Sequence, residues 1–162
     1  MAVKKEGMDI KRFNSTKFTD RTDTMKVPEL APFFPEGAEP VLILRGITGE
    51  QALTANEAAD RSSKLIALAE KLSGGNQEAA TAVAEALGVA GKQTPAEFSR
   101  RVELLLAGSV TPVFDRQSAL KLAMNYPTVF LAATTKILNL TGMGRVPGKP
   151  QGSGETPASV SP

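Results

Sequence analysis

The 162-residue chain contains no His, no Cys, no Trp and a single Tyr. Without His or Cys it cannot build a Ser-His-Asp triad, a Cys nucleophile, a zinc site with imidazole or thiolate ligands, or a disulfide staple. It has no apolar run near the roughly 20 residues that span a bilayer, and the longest candidate, Val41-Leu42-Ile43-Leu44, stops at Arg45. No apolar segment follows the basic N-terminus as it would in a secretion signal, and the lack of Cys fits a reducing compartment, so a cytoplasmic protein is expected.

Charge of one sign is also nearly missing, with 19 basic and 17 acidic residues and a net charge of +2. Phosphate recognition needs basic residues gathered on one face, whereas here they are interleaved with acids from Lys4 to Lys149, so neither nucleic acid nor membrane is expected as a partner. What remains is 41% hydrophobic residues, the composition of one globular domain.

Residues 1–24 form a polar, basic arm in which only Ile10, Phe13 and Phe18 could anchor to a core, and this arm is expected to be mobile. A domain follows over residues 25–142. It opens with a hairpin, 25–46, made of Met25 to Leu30 and Glu39 to Gly46 around the loop Ala31-Pro32-Phe33-Phe34-Pro35-Glu36-Gly37-Ala38. Pro28 would confine the first strand to an edge.

From Thr48 the period becomes helical. Thr48-Gly49-Glu50-Gln51 is a capping box that opens a helix to about Leu72, with Leu65, Leu68, Ala69 and Leu72 as its inward stripe and Ser73-Gly74-Gly75 as its stop. A short Ala-rich helix runs from Asn76 or Gln77 to Leu87. Thr94-Pro95-Ala96-Glu97, a second capping box, starts a helix that ends near Gly108, with Phe98, Val102, Leu105 and Leu106 on one face. Asp115 caps a fourth helix to about Asn125, with Ala119, Leu122 and Ala123 inward. Pro127 opens a fifth to about Thr141, with Phe130, Ala133, Ile137 and Leu140 as its stripe and Gly142 as its stop. The expected fold class is α+β, mainly α: a small N-terminal β-hairpin packed on about five helices, with a flexible N-terminal arm and C-terminal tail. Residues 143–162, rich in Gly, Pro and Ser, read as a disordered tail or linker.

Carboxylate pairs are the acid/base option that survives, and Glu57 with Asp60 is the closest helical pair. Each has a basic residue at i+4, Arg61 and Lys64, which makes a solvated face the better reading. Gly142 to Lys149 superficially suggests a phosphate loop. It follows a helix, precedes none and lacks Ser or Thr after the Lys, so it reads as linker. No catalytic, cofactor-binding or metal-binding residues are assigned. The candidates for partner contact are Phe33 and Phe34, Val41, Ile43 and Arg45, and Arg100 and Arg101. The two Phe, held between Pro32 and Pro35, either form a partner hot spot or fold back onto the first long helix. Val41 to Arg45 is a strand that could take up a neighbouring subunit by edge pairing, and the two arginines form either a solvated flank or an anionic contact.

Val27-Pro28-Glu29-Leu30, then Glu39-Pro40-Val41 through Leu44-Arg45-Gly46-Ile47-Thr48-Gly49-Glu50, then an Ala- and charge-rich helix, Leu106-Ala107-Gly108-Ser109-Val110, and Tyr126-Pro127-Thr128-Val129-Phe130 through Ile137-Leu138-Asn139-Leu140-Thr141-Gly142 together resemble the tail assembly chaperones of long-tailed bacteriophages. The resemblance covers about residues 25–142. It implies a non-enzymatic protein of the bacterial host's cytoplasm, without cofactors, that binds the tape measure protein, keeps it soluble, promotes tail tube assembly and is absent from the mature virion. It also implies a contact with the major tail protein, in some members through a frameshifted, extended product for which residues 143–162 would serve as linker. The competing expectation is a structural or adaptor component of the tail that self-associates through its hairpin.

Overall fold

The computed structural model describes residues 7–86 and 96–150. Among these are six α-helices, one 3-10 helix and five short strands in two antiparallel sheets, so the chain is mainly α with a small β component.

The hairpin is present, with its first strand earlier than expected. β2, Thr22–Lys26, pairs antiparallel with β3, Val41–Arg45, in the register Thr22 to Arg45 through Lys26 to Val41. Pro28, expected within that strand, instead occupies the first turn of a 3-10 helix, Pro28–Phe33, where its missing N–H is harmless. Val27 and Leu30 at this turn are buried, and the Val27 N–H donates to the Pro40 carbonyl at 2.8 Å, closing the loop. A third strand, β4, Ser109–Thr111, lies on the far side of β3.

α2, Gly49–Leu72, begins at the anticipated capping box: the Gln51 N–H donates to Thr48 Oγ1 and the Thr48 N–H to Gln51 Oε1. Its buried line is not the leucine stripe. Ala55, Ser62 and Ala69, seven residues apart, face inward, while Leu68 and Leu72 are exposed. α4, Ala96–Gly108, packs on α2, with Ala55 in the shared core and Arg100 reaching Asn56. α3, Gln77–Ala86, folds back on α2. The second expected capping box, with Thr94 and Pro95, lies outside the described residues.

α5, Arg116–Asn125, starts at Asp115, whose carboxylate accepts from the Ser118 N–H at 2.7 Å, and it buries Ala119, Leu122 and Ala123 as expected. α6, Pro127–Gly142, buries Phe130, Ala133, Ile137 and Leu140, with Val129 and Thr134 beside them. It is the hub of the core. β2, β3, α4 and α5 all pack on it, and the Phe98 and Phe130 rings meet 5.6 Å apart. Leu42 and Leu44 on β3, Val102, Leu104 and Leu105 on α4, and Ile137 on α6 fill the interior.

The turn from β3 into α2 closes directly on α6. A Cβ at Gly46 would stand 2.9 Å from the backbone carbonyl carbon of Leu140, so the two backbones approach as only glycine allows. Next to it the Ile47 N–H donates to Thr141 Oγ1 at 2.9 Å.

Parts of the two end segments carry regular structure, while residues 1–6 and 151–162 lie outside the described residues. Within the segment read as a mobile arm, α1, Ile10–Ser15, is capped by Asp9, and β1, Thr16–Thr19, follows it. Within the segment read as disordered tail, β5, Val146–Pro150, pairs antiparallel with β1. The Phe13 and Phe18 rings meet at 5.3 Å, and polar side chains from Asp20 and Arg21 tie the arm to the body.

Candidate interface

The residues singled out for partner contact do not converge on one patch. Phe33 and Phe34 separate at the end of the 3-10 helix. Phe34 is half-buried against the core, whereas Phe33 is 71% exposed and meets the Tyr126 ring edge-on at 6.0 Å. Phe33 is thus the member of the pair presented outward, and Phe34 the one set against the core.

Val41, Ile43 and Arg45 alternate with the buried Leu42 and Leu44, so they occupy the outer face of the sheet and are half-buried. β3 cannot pair with a neighbouring subunit as its sequence suggested. It is the central strand, with β2 on one side and β4 on the other.

The three arginines turn inward to partners in this chain. Arg45 donates from Nε to the Ala107 carbonyl at 3.1 Å and pairs with Asp20, also at 3.1 Å. Arg101 donates to Thr134 Oγ1 at 2.7 Å and to Glu97 at 3.0 Å, bridging α4 to α6. Arg100 donates to Asn56 Oδ1 at 2.9 Å, bridging α4 to α2. These are cross-links between elements, since Nε and Nη1 of each guanidinium meet acceptors within the chain.

Further ion pairs and capping bonds join other elements. Lys136 on α6 donates to Asp23 on β2 at 2.7 Å; this bond and the Thr24 N–H hold the Asp23 carboxyl below its ordinary range. The Lys26 ammonium is raised by its bond to Glu39, and Asp115 is lowered by the Ser118 hydroxyl and N–H that it caps. Arg116 and Glu103 pair between α5 and α4. Glu57, Asp60, Arg61 and Lys64 are all exposed on α2, as a solvated face requires. Among the described residues no group of three or more acidic side chains could hold a metal ion. No helix among them is long and apolar enough to cross a membrane.

Several large apolar side chains are exposed among the described residues, and leucines near the end of α2 share one helical face. Leu65, Leu68 and Leu72 stand at i, i+3 and i+7, which at 3.6 residues per turn makes a ridge beside the buried Ala55, Ser62 and Ala69 line. Leu65 is half-buried, Leu68 is 43% exposed and Leu72 is 63% exposed. With 24 residues, α2 runs ~36 Å against ~20 Å for the 13-residue α4, so the ridge lies on the longest helix of the fold. The sequence did carry these three leucines, as a stripe assigned to the core. No protein-family model, curated protein or solved structure matches the chain.

Proposed function

We propose that the chain is a tail assembly chaperone of a long-tailed bacteriophage: a non-enzymatic protein of the host cytoplasm that binds the tape measure protein, keeps it soluble and promotes tail tube assembly around it. The observation that carries this reading is the Leu65-Leu68-Leu72 ridge. Apolar side chains at i, i+3 and i+7 on an outward helical face are what an amphipathic, helical client can lie against. Phe33 adds a second outward apolar group.

Two further features support it. The segments that carry the sequence resemblance are the ones that build the body: Val27 and Leu30, β3, the Gly46 turn, the capped start of α2, the end of α4 and all of α6. In addition, Arg45, Arg100, Arg101 and Lys136 are committed to bonds within the chain, which suits work by contact rather than catalysis. The rival reading, a tail component joined through the hairpin, loses β3 as a pairing edge because both of its sides are occupied.

Mass spectrometry of finished particles tests the proposal. A chaperone is expected in infected or induced cells and absent from purified virions. A stoichiometric presence in virions would overturn the chaperone role in favour of a structural one.

A further inference from the structure

β1 and β5 form a two-stranded sheet separate from the three-stranded one, and each packs chiefly on the other. Neither strand has an independent reason to be ordered. α1 buries none of its residues, leaving Ile10 and Phe13 exposed, as is Met8 just before it, and β5 contains Pro147, Gly148 and Pro150, which disfavour a strand. A lone two-stranded ribbon is marginal in water. Something must add to the ladder, and the polar contacts around Asp20 do so. One carboxylate oxygen of Asp20 accepts from Arg45 in β3 at 3.1 Å, and the other accepts from Nε of Arg145, just before β5, at 3.0 Å. Arg21 adds a bond to the Gly144 carbonyl at 3.0 Å.

We infer that the two ends of the chain form a clasp: residues 10–19 and 146–150 order each other, and Asp20, gripped by Arg45 and Arg145, is the latch that holds the pair to the body. Drawing residues 146–150 away then frees the arm, with its exposed Met8, Ile10 and Phe13, without unfolding the helices. The clasp is a conformational device distinct from the α2 ridge, and its test does not depend on any partner.

Hydrogen exchange on the full-length chain reads it. At Gly148 a Cβ would sit 2.8 Å from the Lys17 carbonyl oxygen, a backbone atom, so Gly148→Val must part the strands. The expected result is exchange faster by about tenfold or more at residues 16–19 and 146–149 together, with β3 and α6 unchanged. Asp20→Asn, which keeps the side-chain shape and removes the charge facing both arginines, is expected to accelerate the same two segments. Gly142→Ala, where a Cβ meets open space, is expected to leave both protected. The clasp is overturned if Gly148→Val loosens 146–149 while 16–19 keep their protection, or if neither segment responds to either Gly148→Val or Asp20→Asn.

Discussion

Two alanines placed three residues apart should move stability in opposite directions. At Gly46 the new Cβ would lie 2.9 Å from the Leu140 carbonyl carbon and 3.0 Å from both the Leu140 oxygen and the Thr141 nitrogen. All three are backbone atoms of α6, so no side chain can swing away, and the β3–α2 turn and the end of α6 must separate. Overpacking of this kind costs about 1–3 kcal/mol. The bonds that flank the contact, Gly46 N–H to the Arg21 carbonyl at 2.8 Å and Ile47 N–H to Thr141 at 2.9 Å, would stretch with it and place the loss toward the upper end. With roughly 2–4 °C of melting temperature per kcal/mol in a domain of this size, Gly46→Ala should melt about 5–10 °C lower. At Gly49, in the first turn of α2, a Cβ meets nothing within 4 Å. There alanine should gain ~0.4–1 kcal/mol by restricting the unfolded chain. Urea unfolding of both variants, with the slope checked for constancy, is the assay. A Gly46→Ala chain within about 0.5 kcal/mol of wild type would refute the close approach of these backbones.

Thr48→Ala removes the side-chain half of the α2 capping box and should cost ~1 kcal/mol in the same assay, whereas Thr48→Asp should retain most of the stability. Arg101→Met leaves the fully buried Thr134 hydroxyl without its guanidinium donor and should cost ~1–3 kcal/mol; Arg100→Met, whose partners Asn56 and Glu97 are exposed, should cost less than about 1 kcal/mol. Because the Asp23 carboxyl is held below 3.8 by Lys136 and the Thr24 N–H, its contribution is complete above the unfolded value and is lost as pH falls through the lower folded one. The melting temperature of Asp23→Asn should therefore decline less steeply than that of wild type below pH 3.8, and a parallel decline would show that the pair adds nothing.

The body of the fold was legible where its instructions are local. Thr48 with Gln51, Asp115 and Pro127 each announce a helix start within four residues, and the α6 stripe from Phe130 to Leu140 repeats at the helical period. What was not legible depends on partners far away in sequence. β5 reads as linker because Pro147, Gly148 and Pro150 lack strand propensity, and only β1, more than 120 residues earlier, supplies its ladder. β4 is three residues long and begins where α4 ends. The bonds that Arg45, Arg100 and Arg101 make within the chain were not legible because Asp20, Asn56 and Thr134 lie at separations that no helical or strand spacing encodes. The α2 leucines were periodic enough to mark a face. Periodicity alone could not tell that the small residues Ala55, Ser62 and Ala69 would be the buried ones, with Leu68 and Leu72 left exposed beside them.

The central claim, that the ridge on α2 receives the tape measure protein, is tested most directly by co-expressing the full-length chain with the tape measure protein of the same genome and measuring how much of the latter stays soluble and co-purifies. Wild type is expected to solubilise and retain it, and Leu68→Asp with Leu72→Asp, which replaces two exposed side chains and should leave the melting temperature nearly unchanged, to abolish both effects. Failure of the wild-type chain to solubilise or retain the tape measure protein, or full activity in the folded double variant, would contradict the claim.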